Sequence, residues 1–153
     1  MKSLLNFTVL ILLTFQGFSQ DISIRKKEFL LDKGIAISGY DPTVYFTGKA
    51  QKGKKEFSYT QEGVNYQFAN ANNLETFKKN PAKYEPQYGG WCAYGMGSNG
   101  NKIEVNPETF KIVNGKLFLF YRSFFSNTLN DWNKDENALK IKADVNWSNF
   151  VRK

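Results

Sequence analysis

The chain contains no histidine and a single cysteine, Cys92, among its 153 residues. One cysteine cannot form an internal disulfide, a four-cysteine zinc site or a CxxC redox pair. Without histidine there is no histidine-ligated haem, no blue-copper site and no Ser-His-Asp or Cys-His pair, so we expect no haem. A hydrophobic core must therefore hold the fold. Any catalysis must use carboxylates, lysine, tyrosine, the lone thiol or a cofactor bound by these groups.

The first residues of the chain resemble a secretory signal peptide. Lys2 precedes an apolar run over residues 4–15, and Gly17 and Ser19 supply the small residues that signal peptidase requires. This run is too short to cross about 30 Å of hydrocarbon. We therefore predict that residues 1–19 are removed, that the protein is exported to the periplasm or secreted, and that no integral membrane span remains.

Aromatic residues make up 16% of the chain, and its formal net charge is +7. The aromatic content predicts a core built largely from rings, since each ring buries on the order of 150–250 Å². Four lysines crowd one loop: Lys49, Lys52, Lys54 and Lys55. We interpret them mainly as a solvated loop, with an anion, an acidic partner or a lipid headgroup as the alternative. Nucleic acid is not an expected partner, because the charge is not interleaved with exposed aromatic residues.

The polar and apolar patterns predict one α+β domain. Two hairpins are expected, with turns at Glu62-Gly63 and Asn114-Gly115; the strands are residues 57–61, 64–68, 110–113 and 116–121. Short helices are expected after the capping residues Asn72, Ser126 and Asp135. The predicted fold is a small antiparallel sheet of β-hairpins with short helices and C-terminal helices. Residues 20–33 are predicted as a charged, loosely held lead-in to a single monomeric domain over residues 34–153.

Several segments together resemble the YHS-domain family, and more narrowly its exported single-domain branch. They are GYDPTVYF (39–46), GVNYQFA (63–69), FKKNPAKY (77–84) and PQYGGWCAYG (86–95). The resemblance implies a treble-clef-like core in an exported bacterial protein.

Other YHS domains are thought to bind metal through cysteines, and this chain departs from the family at those positions. They fall at Thr43-Val44, Ala69 and Asn73, so the resemblance carries no metal site onto this chain. The exported branch keeps the cysteine at position 92, and some of its members have selenocysteine there. The resemblance therefore implies a reactive chalcogen at Cys92.

Cys92 is the candidate catalytic residue. It lies in a glycine-rich segment, residues 88–97, whose backbone N–H groups could stabilise a thiolate. A single reactive thiol would pass through a sulfenic acid that an external thiol resolves. The competing interpretation is a buried cysteine that packs as a small hydrophobic residue.

Two further ideas concern the neighbours of Cys92. Tyr88, Trp91 and Tyr94 are candidate binding residues that could line a pocket beside the thiol, although they could equally belong to an aromatic core. Cys92 and Met96 are soft ligands suited to Cu(I), which makes them the candidate metal ligands. A metal shared with Asp41, otherwise expected to cap a turn, stays open.

The sequence thus predicts an exported YHS-like domain with a single-thiol redox or reactive-small-molecule role centred on Cys92. The alternative is a non-catalytic binding module for a soft metal ion or a small apolar ligand. A purely structural or partner-binding protein is the third class. The residues do not decide whether the protein is an enzyme.

Overall fold

The computed structural model describes residues 22–152. The helices and strands of this part follow one another as α1 (Ile22–Glu28), β1 (Leu31–Asp32), β2 (Ile35–Ala36), β3 (Lys54–Gln61), β4 (Val64–Phe68), α2 (Ala71–Lys79), α3 (Pro81–Tyr84), α4 (Ala93–Asn99), β5 (Asn106–Val113), β6 (Lys116–Phe120), α5 (Thr128–Trp132) and α6 (Glu136–Val151). The predicted α+β class is confirmed. Within residues 22–152, no helix has the length and apolarity needed to cross a bilayer. The predicted signal peptide, residues 1–19, lies outside the described residues.

The strands form a four-stranded sheet in the order β1-β2-β4-β3 and a separate β5-β6 hairpin. Both predicted hairpins are present, and their turns have positive φ at Glu62, Gly63, Asn114 and Gly115. Positive φ at both central residues is the geometry of the type I′ turn, which matches the twist of paired strands. The prediction of a purely antiparallel sheet is incomplete, because β2 pairs with β4 in parallel. In the strand order, β4 lies between β2 and β3 and therefore pairs with both.

The prediction of a loosely held lead-in is wrong for the described part of that segment. Arg25 and Glu28 on α1 are buried, and Phe29 belongs to the core. Each charged residue has a partner far along the chain: Arg25 pairs with Glu85, and Glu28 pairs with Lys102. Buried charges are tolerated when they are paired in this way. A local sequence pattern cannot predict partners that lie so far apart along the chain.

Strand β6 separates two clusters of buried residues. Leu117 and Leu119 belong to the cluster that β4 and α2 build around Phe77. Phe118 and Phe120 belong to the other cluster, built with α4, α5 and α6 around Trp132. Alternate side chains of a strand point to opposite faces, so both faces of β6 are covered. The predicted ring-rich core is confirmed, and its second cluster fixes the segment that carries Cys92.

Candidate functional site

The segment that carries Cys92 is a tight turn followed by a short helix. Residues Gln87–Gly90 form a 3-10 turn in which Tyr88, Gly89 and Gly90 have positive φ. Cys92 then occupies the N-cap position of α4, and its backbone N–H donates to the carbonyl of Ile103 at 2.9 Å. The backbone around the thiol is therefore fixed on both sides.

The thiol of Cys92 is fully buried and belongs to a small ring of hydrogen bonds. The Tyr121 N–H donates to Sγ at 3.3 Å, and Thr128 Oγ1 lies 3.3 Å from Sγ. Thr128 Oγ1 also donates to the Tyr121 carbonyl at 2.9 Å. Because a hydroxyl has one proton, the Thr128 hydroxyl accepts from the Cys92 S–H while it donates to Tyr121. The ring therefore suits the neutral thiol.

This enclosure bears on the predicted catalytic role of Cys92. A peroxide or disulfide must touch sulfur to react, and here the backbone of Tyr121 and the side chain of Thr128 both contact it. Within residues 22–152, the hydrogen-bond partners of Sγ are a backbone N–H and a hydroxyl, and neither carries a charge. Reaction would first require the 121–128 segment to separate from α4. The redox role stays a prediction.

The other predicted residues near the thiol pack in the cluster around Trp132 or bond to α1. Met96 is fully buried in the cluster around Trp132. Trp91 donates its indole N–H to the carbonyl of Glu28 at 2.6 Å, and Tyr94 is half-buried against the same cluster as Met96. Within residues 22–152, no group of three or more His, Cys, Asp or Glu residues is placed to hold a metal ion.

Tyr88 instead lines a surface cleft of about 260 Å³ between α1, residues 85–89 and α6. The rings of Phe29, Tyr88 and Trp147 are among its lining residues. The ring centroids of Phe29 and Trp147 lie 5.9 Å apart, so the two rings pack against each other. Cys92 is not among the lining residues. Of the three predicted binding residues, Tyr88 lines this cleft, whereas Trp91 and Tyr94 do not.

Gly89 allows the rings of Phe29 and Trp147 to close over the turn. A Cβ atom at this position would lie 2.8 Å from Trp147 Cη2 and 2.9 Å from Phe29 Cδ1. Its φ of +59° is also one that L-residues rarely adopt. Any other residue at this position would displace both rings from the cleft.

The charged groups of the cleft are Arg25, Glu85 and Asp144. Arg25 is neutralised, because its guanidinium pairs with Glu85 and lies 3.7 Å from Glu62. Glu85 is further occupied by the Tyr66 hydroxyl, which donates to it at 2.9 Å. These two residues therefore brace the fold and have little capacity left for a ligand.

Asp144 is the carboxylate of the cleft that can accept further hydrogen bonds. Its Oδ1 accepts from the Tyr88 hydroxyl at 2.9 Å, and its Oδ2 accepts from Lys140 Nζ at 2.7 Å. A carboxylate offers about four lone-pair positions, so two stay available. Burial, and then the neighbouring Asp144, raise the pKa of Tyr88 well above its usual value. Tyr88 is therefore a fixed hydrogen-bond donor rather than an acid or base.

No family model, curated protein or solved structure matches this chain. The functional interpretation therefore depends on the cleft and the thiol themselves.

The positions at which the YHS resemblance implies metal-binding cysteines lie around one buried carboxylate. Asp41 Oδ1 accepts from the Thr43 N–H at 2.8 Å and from the Thr43 hydroxyl at 2.7 Å. Its Oδ2 accepts from the Ala69 N–H at 2.8 Å and from Asn73 Nδ2 at 2.7 Å. These four donors direct hydrogens at the carboxylate and occupy both of its oxygens. The residues therefore do not fit a metal ion, and Asp41 has the predicted capping role.

Proposed function

We propose that this chain is an exported YHS-like domain that works as a non-catalytic binding module for a small molecule. The ligand we propose has an apolar, aromatic body and a cationic group, and it occupies the cleft lined by Tyr88, Asp144 and Trp147. The observation that carries this proposal is the position of one partly free carboxylate beside aromatic side chains.

The size of the cleft favours a small ligand. Small-molecule sites usually have volumes of about 300–1,000 Å³, and this cleft, at about 260 Å³, lies just below that range. A single aromatic ring with a short polar arm suits such a volume. A larger ligand would extend over the surface of the domain.

The rings favour a cation. The Arg25 guanidinium already lies over the Phe29 ring, 4.5 Å from its centroid, so this aromatic surface accommodates positive charge. Aromatic faces attract cations through the ring quadrupole, with Trp the strongest. Trp147 therefore offers a surface for the ligand, and Asp144 offers the opposing charge. An anionic ligand would instead meet two carboxylates, since Glu85 also lines the cleft.

The thiol redox role is the second candidate. It is favoured by the convergence of the Tyr121 N–H and the Thr128 hydroxyl on Cys92 Sγ, because rotation of that hydroxyl would give a thiolate two donors. We rank it second because the sulfur is enclosed. A Cu(I) site at Cys92 and Met96 ranks below both, since both residues are buried in the apolar interior.

Two-dimensional ¹H–¹⁵N NMR tests the proposal. Benzylamine, benzoate and benzyl alcohol share one ring and differ in charge. We expect benzylamine to shift the Gly89 amide and the Trp147 indole signals in a saturable way, with benzyl alcohol weaker and benzoate weakest. The Cys92 amide is the internal reference and is expected to stay unshifted. Equal binding of all three probes, or shifts confined to another surface, would contradict the proposal.

A further inference from the structure

The loop between β6 and α5 exposes two neighbouring aromatic rings. Phe124 is 93% exposed and Phe125 is 94% exposed. Every other phenylalanine within residues 22–152 is buried or half-buried. The two exposed rings pack against each other, edge to face, with their centroids 4.9 Å apart. Exposure of this kind opposes the hydrophobic effect and is typical of an interaction surface.

The loop is a built hairpin rather than a frayed connection. Arg122 and Asn127 form an antiparallel bridge, and the Ser123 N–H donates to the Ser126 carbonyl at 2.8 Å. Phe124 and Phe125 are the two residues enclosed by that contact, so they form the tip. The aromatic tip is therefore held out from the domain by backbone hydrogen bonds.

The base of this hairpin is fixed to the interior. The Thr128 N–H donates to the Tyr121 carbonyl at 3.1 Å, and the Tyr121 N–H donates to Cys92 Sγ. The thiol thus fastens the loop to α4. This connection gives Cys92 a structural role that does not depend on redox chemistry.

The charge around the tip favours an anionic partner. Arg122 lies at the bridge, and residues 121–130 contain no Asp or Glu. The formal net charge of the whole chain is +7. Aromatic rings partition into the headgroup region of bilayers, and basic residues are attracted to anionic lipids there.

The shape of the tip favours a lipid surface over a protein. A stable protein interface buries about 800 Å² on each partner and has a contiguous apolar centre. Here the residues beside the two rings, Ser123 and Ser126, are exposed and polar. A narrow aromatic tip with a polar, basic collar suits insertion into a headgroup layer.

We propose that the Phe124–Phe125 tip inserts into the interfacial region of a membrane that contains anionic lipids and so holds the domain at that surface. The proposal is independent of the cleft and its ligand. The tip enters only the headgroup region, so it requires no membrane-spanning segment.

Sedimentation with lipid vesicles tests the proposal. The protein used lacks residues 1–19, because their apolar run would itself bind lipid; both core clusters lie within residues 22–152. Vesicles of phosphatidylcholine alone are compared with vesicles that also contain phosphatidylglycerol. We expect binding to the phosphatidylglycerol vesicles that weakens with added salt and falls about fivefold in Arg122→Gln.

The double variant Phe124→Ser/Phe125→Ser is expected to lower vesicle binding by at least about tenfold. Its matched control is Ile141→Ser/Val145→Ser, which removes two exposed apolar side chains, 67% and 59% exposed, from α6. The control is expected to bind like the parent protein. Circular dichroism checks that each variant is folded.

Three outcomes would overturn the proposal. The parent protein could fail to bind phosphatidylglycerol vesicles, or the phenylalanine variant could bind as tightly as the control. Alternatively, the protein could form a dimer without lipid that the phenylalanine variant abolishes, which would identify a second copy of the chain as the partner of the tip.

Discussion

Replacement of Asp41 should destabilise the three segments that its carboxylate connects. The carboxylate is fully buried and accepts four hydrogen bonds, two on each oxygen. Its donors come from the turn at Thr43, from the end of β4 at Ala69 and from α2 at Asn73. One carboxylate therefore connects three segments, as a structural metal ion would.

The magnitude follows from the donors that lose their acceptor. Asp41→Ala leaves the buried N–H groups of Thr43 and Ala69 unpaired, at about 1–3 kcal/mol each, so we expect a loss of roughly 2–6 kcal/mol. Asp41→Asn keeps one acceptor oxygen but places an NH₂ against the donors of the other oxygen, for a loss of about 1–3 kcal/mol. Thr43→Val removes only the hydroxyl bond and should lose about 1 kcal/mol.

Urea denaturation followed by tryptophan fluorescence measures these differences. A typical domain has about 5–15 kcal/mol of stability, so Asp41→Ala should be largely unfolded or have a strongly lowered midpoint. We expect Asp41→Ala to be the most destabilising change, Asp41→Asn to be intermediate and Thr43→Val to be the least destabilising. An Asp41→Asn variant within about 0.5 kcal/mol of the parent would show that the carboxylate does not hold these segments together, because this is the usual effect of an unimportant surface change.

Two further predictions concern tyrosine ionisation and the enclosed thiol. Burial raises the pKa of Tyr45, Tyr66 and Tyr88, so stability should be complete below about pH 10 and fall above it, as the tyrosines ionise only in the unfolded chain. Urea midpoints measured from pH 9 to pH 11 test this. Above about pH 10, each of these tyrosines should lower the free energy of unfolding by about 1.4 kcal/mol per pH unit, and a constant midpoint would contradict the prediction. Iodoacetamide should alkylate Cys92 at least about a hundredfold more slowly in the folded protein than in urea, because the loop that covers the sulfur must open first. Comparable alkylation rates in the folded and the unfolded protein would make the thiol redox role the preferred function.

The parts of the fold that could be predicted are those with local causes. The Asn114-Gly115 turn has the positive φ that its residues favour, and Leu139 and Ala143 face the core at helical spacing as expected. Helix starts were less well predicted. Asn70, rather than Asn72, caps α2, because its side chain accepts from the Asn73 N–H.

The cap of α5 shows why several polar residues in a row are ambiguous. Asn127, rather than Ser126, accepts from the Leu129 N–H, while the Ser126 carbonyl is engaged by the Ser123 N–H in the hairpin. At Asp135 the expected position is right, but the side chain makes no capping hydrogen bond. When neighbouring residues are equally good caps, the sequence does not show which one caps the helix, because the choice depends on which of them makes tertiary contacts elsewhere.

The candidate cleft could be predicted only in part, because its residues are distant in sequence. The position of Tyr88 in the segment that carries Cys92 predicts it as a binding residue, but its partner Asp144 lies 56 positions along the chain. Asp144 and Trp147 are three residues apart on α6 and so share a face, which was the available signal. Neither the burial of Arg25 nor the contact of Phe29 with Trp147 has a local cause.

The binding of benzylamine to two charge variants decides whether Asp144 is the ligand's partner. Asp144→Asn removes the charge that we propose attracts the ligand, and Lys140→Gln removes the side chain that competes for the same carboxylate. We expect the first change to weaken benzylamine binding by about tenfold, close to the lower end of the range for a hydrogen bond to a charged group, and the second change to strengthen it. If both variants bind benzylamine like the parent protein, or both change its affinity in the same direction, Asp144 is not the ligand's partner and the proposed function is wrong.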